Sequence, residues 1–239
     1  MATLKRFFID KIAPQVALDG EEFEHAKNVL RLGVGAEVIL LDNSGKEYTA
    51  VISQIEKKKM LLTVVREEVG TREANTDMCL LFGYLKNADK NEFIVQKAVE
   101  LGAREIGVFS SNFSSAYIND NKLQRLNKVA KEAAKQCLRS VAPCVKYYGT
   151  LEDALKSAVS YKNKLFACEF AKESEISFST LSGSTVMVVG SEGGFSQEES
   201  VLAKENGYHM VTLGKRILRA ETAGISLLAV VAQALGEWQ

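Results

Sequence analysis

The chain has 239 residues, 46% hydrophobic and 25% charged, with 30 basic residues balancing 30 acidic ones. This is the composition of a globular protein able to bury a core, and it excludes a disordered chain or a small disulfide-stapled scaffold. With no net charge, a nucleic-acid partner has to be held by local basic patches rather than by an overall field.

At about 150 residues per domain the length allows one large domain or two unequal ones. Cys79, Cys137, Cys144 and Cys168 show no CxxC spacing and only two histidines occur. The cysteines read as free thiols in a reducing, cytoplasmic setting, and no metal site is expected. The segment MATLKRFFIDKIAP lacks the apolar stretch of a signal peptide, and no apolar run reaches the ~18 residues of a membrane span.

The first third reads as β-rich. Phe7–Ile9, Gln15–Leu18, Ala36–Asp42, Lys46–Ile55 and Met60–Val65 are predicted strands, with a turn at Asn43-Ser44-Gly45. Glu21–Leu32 has Phe23, Ala26 and Val29/Leu30 at helical spacing. Short strands around one helix predict a small barrel. The polar stretch Arg66–Asp77 reads as a linker, which places the domains at 1–72 and 73–239.

Beyond it, strands and helices alternate. The strands are Met78–Leu85, Glu105–Ser110, Val145–Tyr148, Lys164–Cys168, Val186–Val189 and Met210–Leu213. The helices are Asp89–Leu101, Lys122–Leu138, Leu151–Val159, Ser196–Glu205 and Ala220–Leu235. That order predicts an α/β domain with a mostly parallel sheet covered by helices on both faces. On the second helix Lys122, Arg125, Lys128, Lys131, Lys135 and Arg139 share one face, opposite Leu123, Leu126, Ala130, Ala133 and Cys137. The cations form either a solvated face or a stripe that contacts phosphates. The last helix is aliphatic almost all round and needs cover on more than one side, from a second subunit or from one large core.

Ligands of open parallel sheets bind beyond the carboxyl ends of the strands. Two segments stand out there. In VMVVGSEGGFSQ (Val186–Gln197) a strand runs into Gly190-Ser191-Glu192-Gly193-Gly194, and Ser196 and Glu199 have capping-box spacing. Such a loop is either a tight turn or a place where a ligand meets the backbone. In VTLGKRILRAETA (Val211–Ala223), Gly214 ends a strand and Lys215, Arg216 and Arg219 surround Ile217-Leu218, a mixture suited to an anionic or nucleotide ligand. No GxGxxG, P-loop or GxSxG motif is present, and His209 has no evident nucleophile partner.

Taken in order, RFF (Arg6–Phe8), H-x3-VLR (His25–Arg31), KQCLR (Lys135–Arg139), GSEGG (Gly190–Gly194) and LGKRILRAETA (Leu213–Ala223) resemble the RsmE-type 16S rRNA (uracil-N3)-methyltransferases of the knotted SPOUT superfamily. The resemblance covers nearly the whole chain. It implies a PUA-like RNA-binding barrel, then a SPOUT domain with a C-terminal trefoil knot. It also implies a cytoplasmic homodimer that binds S-adenosylmethionine (SAM) and methylates N3 of a uridine in the rRNA of the small ribosomal subunit.

On this resemblance Gly190, Ser191, Glu192, Gly193, Gly194, Leu213, Gly214, Ile217 and Leu218 are the expected cofactor-binding residues, the three aliphatics forming a slot for adenine. Arg219 and Arg139 are expected at the uracil oxygens, where guanidinium charge favours the deprotonated base; both could instead hold phosphates. Lys5, Arg6, Lys27, Arg31, Arg125, Lys128, Lys135 and Arg216 are the expected RNA contacts. Glu192 and Glu221 are candidate proton acceptors; Glu221, in the first turn of a helix, reads rather as structural, Glu192 could instead bond backbone amides of its own loop, and His25 reads as a packed or surface histidine. Two positions depart from the family pattern: Ser191 stands where proline is usual and Lys135 where glutamate is common. A SPOUT enzyme acting on another RNA site, or a non-catalytic rRNA-binding assembly factor, are the competing readings.

Overall fold

The computed structural model describes residues 4–114 and 117–238. The chain divides into two compact units, one of residues up to Glu73 together with Ala134–Ala142, the other of Ala74–Ala133 and the chain from Pro143 on.

The first unit is built on strands β1 (Lys5–Phe8), β2 (Gln15–Asp19), β3 (Glu37–Leu41), β4 (Lys46–Ile55) and β5 (Lys59–Val69). They form one sheet in the order β1-β3-β4-β5-β2, parallel only between β1 and β3. Alternating apolar residues explain the core. Val16 and Leu18 of β2 point inward with Phe7, Phe23, Val38, Leu40, Ile52, Met60 and Leu62.

Two local expectations are corrected. The helix over 21–32 is only α1 (Gly20–Glu24), followed by a wide π turn at His25–Val29, and Arg31 ends it with φ +54°. The linker begins later than predicted, because Arg66–Val69 continues β5 and pairs with Lys46–Thr49 of β4. These residues are exposed and joined by pairs such as Lys46–Glu67, so the strand carries no apolar signal.

Ala134–Ala142, expected in the second domain, is bound into the first unit by hydrogen bonds. Glu73 accepts from Arg139 Nε and Nη2 at 3.0 and 2.7 Å and from the backbone N–H groups of Ser140 and Val141. Asn43 accepts from the Ala142 N–H. A buried guanidinium is tolerated only with such a partner.

The second unit is a six-stranded, wholly parallel sheet. Its strands are β6 (Met78–Gly83), β7 (Glu105–Ser110), β8 (Val145–Thr150), β9 (Asn163–Ala167), β10 (Thr185–Val189) and β11 (His209–Val211), in the order β11-β9-β10-β6-β7-β8. β6 and β10 are buried at every residue, as central parallel strands must be when helices cover both faces. On one face α4 (Leu151–Ser157) and α5 (Gln197–Glu205) enclose Leu81, Phe109, Phe166, Val188 and Phe195. On the other, α6 (Ala220–Ala234) lies on β6, β10 and α2 (Ala88–Glu100), with Gly224 seated against Val189 and Leu80. α6 is therefore covered mainly by its own unit, while Val230 remains 40% exposed. Helix α3 spans Asp120–Gln136.

Candidate active site

The turns after β9, β10 and β11 meet around a cavity of about 870 Å³. All three strands are parallel neighbours, so their carboxyl ends open on the same edge of the sheet. Every residue expected to bind the cofactor lines this cavity: Gly190–Gly194 from the first loop and Leu213, Gly214, Ile217 and Leu218 from the second, with Arg216 and Arg219 beside them.

The first loop is pinned at both ends. Phe195 is buried, its ring 4.1 Å from that of Phe166, and fastens the loop's exit to the core. At the entry, Ser191 is 5% exposed and its hydroxyl lies 3.1 Å from that of Ser111, after β7. A hydrogen bond thus supplies a restraint where the family's proline would fix φ. Ser191 O accepts from Gly194 N–H at 3.0 Å, closing the turn.

Gly194 has φ +68°, a conformation that favours glycine. The buried carboxylate of Glu199 accepts from the N–H of Ser196 and of Asn112, both at 2.8 Å. With the Ser196 hydroxyl accepting from Glu199 N–H, the predicted capping box is complete. One carboxylate therefore ties α5 and the glycine loop to the turn after β7.

The second loop presents its cations to water. Lys215, Arg216 and Arg219 are exposed, Leu213 and Leu218 are half-buried, and Ile217 is 94% exposed. The apolar slot is thus walled by Leu213 and Leu218, with Ile217 at the rim.

The cavity also holds residues that motif reading passed over: Ala167, Cys168, Glu169, Ala171 and Lys172 after β9, Thr212, and Lys90 from α2. The strand-end rule applied to Lys164–Cys168 would have found the first group. Lys90 pairs with Glu221 at 2.9 Å. Burial pushes the Glu221 carboxyl up, but the hydrogen bond from Lys90, the residue's own backbone N–H and the charges of Lys90 and Arg219 outweigh it and hold the group below the usual carboxylate range. Glu192 accepts from the backbone N–H of Lys86 at 2.9 Å. The partner of Glu192 is thus the turn after β6 and not an amide of its own loop.

Several expected RNA or base contacts are already engaged within the chain. Arg139 is 3% exposed and bound to Glu73, which corrects its assignment to the uracil: the guanidinium is spent on a buried ion pair. Arg6 is held by both oxygens of Glu47, and Lys135 by Glu22 at 2.5 Å; both side chains are 9% exposed. Arg125 grips Glu92 through two hydrogen bonds but stays exposed. Lys5, Lys27, Arg31 and Lys128 are exposed.

A parallel sheet with a glycine-lined, cation-rimmed cavity beyond its strand ends defines a nucleotide-binding α/β domain. Family comparison makes the class specific. Residues 72–232 match the RNA methyltransferase domain and residues 18–65 the RNA methyltransferase PUA domain, so the chain belongs to the RNA methyltransferase family. It is 30% identical to ribosomal RNA small subunit methyltransferase E of Bacillus subtilis, over 95% of this chain and 96% of that one. Against the same-named protein of Mesomycoplasma hyopneumoniae it is 35% identical over 69% of this chain and 73% of the relative. Among solved structures, ribosomal RNA small subunit methyltransferase E from Neisseria gonorrhoeae bound to SAM superposes with a TM-score of 0.84 at 27% identity, covering 99% of this chain and 100% of the other. The Legionella pneumophila protein Lpg2936, in complex with SAM, gives 0.88 at 25% identity, with 98% of each chain covered.

Proposed function

We propose that this chain is a SAM-dependent methyltransferase that modifies N3 of a uridine in 16S rRNA. The observation that carries the reading is the convergence of a glycine loop, an apolar slot and exposed arginines on one cavity. Its ~870 Å³ suits a nucleoside with an amino-acid tail. Gly190 packs so closely on the Gly194 backbone that a Cβ would stand 3.0 Å from its carbonyl carbon, so the loop folds back on itself only with glycine there, and Gly190–Gly194 line the cavity. The residues present therefore fit the cofactor. Gly190–Gly194 would hold it along the backbone, and Leu213 and Leu218 would take the adenine.

When bound, SAM supplies an electrophilic methyl group. The chain's task is to hold the uracil in line and favour loss of its N3 proton. Arg219, exposed at the rim, is the residue placed to do this. A guanidinium beside the uracil oxygens stabilises the anion and binds bidentately. Arg216 and the exposed Lys5, Lys27, Arg31 and Lys128 would contact phosphates, making association steeply salt-dependent.

The reading includes two features of the family's architecture. One is the trefoil knot, supported by three late strands lying side by side. The other is a cytoplasmic homodimer, supported by Val230 on α6 and Phe93 on α2, exposed by 40% and 44%. The test is incubation with labelled SAM and either small subunits or free rRNA, followed by mapping of the methylated base. Methylation at a uridine N3 of 16S rRNA is expected. Label in another RNA overturns the substrate, and rRNA binding with no affinity for SAM overturns the enzyme. Arg219→Lys should lower turnover at saturating substrate while leaving SAM affinity unchanged; near-normal turnover removes Arg219 from the base.

A further inference from the structure

We infer that Glu169 anchors the ribose of the bound nucleoside through its vicinal hydroxyls. The inference rests on the SAM reading of the cavity and adds a residue that the two sequence motifs do not contain.

Three carboxylates line the cavity. Glu192 is bonded to the Lys86 N–H and Glu221 to Lys90. Glu169 has neither a hydrogen bond nor an ion pair among the described residues. It stands just past the carboxyl end of β9, directly over the glycine loop. A Cβ on Gly194 would collide with Glu169 Oε1 and come within 2.8 Å of Cδ and 3.0 Å of Oε2. The carboxylate thus rests on the stretch of bare backbone against which a ligand would lie, with its acceptor capacity unused.

A carboxylate beyond a parallel strand, beside a glycine turn, has the chemistry to accept two hydrogen bonds from a ribose diol. The cofactor's ammonium is the competing partner for this carboxylate, and methylthioadenosine, which lacks it, separates the two.

The test is calorimetric titration of the wild-type chain, Glu169→Ala and Glu169→Gln with S-adenosylhomocysteine, methylthioadenosine and the 2′-deoxy form of methylthioadenosine. Glu169→Ala should weaken the first two by the same factor, about 10- to 100-fold. Glu169→Gln, which keeps one acceptor, should fall between. The 2′-deoxy ligand should bind the wild type more weakly but lose little further affinity in Glu169→Ala. Because Glu169 is exposed, both variants should melt within about 2 °C of the wild type without ligand. Should the alanine variant not fold, the glutamine variant carries the comparison.

Unchanged affinity, or a loss confined to S-adenosylhomocysteine that spares methylthioadenosine, overturns the ribose assignment while the SAM reading stands. A wild-type chain that binds none of these nucleosides overturns both.

Discussion

Replacing Gly83 by alanine places a methyl group at the end of β6, beneath the glycine loop. It would stand 2.6 Å from Ser191 N and 3.1 Å from the Gly190 carbonyl carbon. Those neighbours are main chain and cannot swing aside as a side-chain tip can. Since unstrained carbon contacts lie at about 3.5–4.0 Å, the loop has to retreat by roughly 1 Å. Overpacking of this kind costs about 1–3 kcal/mol. For a chain of this length that lowers the melting temperature by roughly 2–12 °C. The retreat also pulls Ser191 from Ser111, whose hydroxyls are 3.1 Å apart, and loosens the loop at its entry. SAM affinity should consequently fall by about 10-fold or more, since a site tolerates little displacement of its binding groups. Thermal melting and calorimetric titration measure the two effects. Gly33→Ala is the control, because a Cβ there meets nothing within 4 Å. A Gly83→Ala protein that melts and binds SAM like Gly33→Ala would refute the claim that main-chain contact with β6 sets the loop's position.

Arg139→Ala leaves Glu73 without its guanidinium and should destabilise the chain by about 3–5 kcal/mol in urea denaturation; a loss below about 1 kcal/mol would return Arg139 to the list of functional arginines. Glu175 is held below the usual carboxylate range by its hydrogen bonds to Lys204 and then to the Met210 N–H. Its contribution to stability is complete above the unfolded value near 4.5 and disappears as pH drops through the lower folded value, so Glu175→Gln should flatten the acid limb of the melting curve against pH. An acid limb with the wild-type slope would count against that role. Val230→Glu, on the open side of α6, should yield monomers in sedimentation velocity; undiminished self-association would move the proposed interface elsewhere on the surface.

Much of the second unit was legible because its strands are apolar runs and its helices carry apolar stripes, two signals that do not imitate each other. The two loops that line the cavity were legible for another reason: three glycines in five residues after a strand, and three cations around two aliphatics after the next, are chemically odd for plain turns. What stayed hidden depended on partners distant in sequence. The end of β5 is a charged strand recognisable only once Lys46–Thr49 is seen opposite it. Arg139 looked free to meet a base because Glu73, 66 residues earlier, gives no sign of being its partner. Glu169 escaped notice because a lone acid after a strand has no pattern; only its position over Gly194 distinguishes it.

The strand order bears on how the second unit assembles. β6, β7 and β8 are consecutive in the chain and adjacent in space, and so are β9, β10 and β11 as a group. The two triplets are stitched along one seam, Thr185–Val189 of β10 against Met78–Phe82 of β6. Closing that seam brings together segments about a hundred residues apart, a slow step that topology imposes whatever the local propensities. The glycine loop hangs from one side of the seam and Gly83 from the other. A stalled folding intermediate with both triplets formed but unjoined would thus hold most of its helices and strands and still be blind to the cofactor.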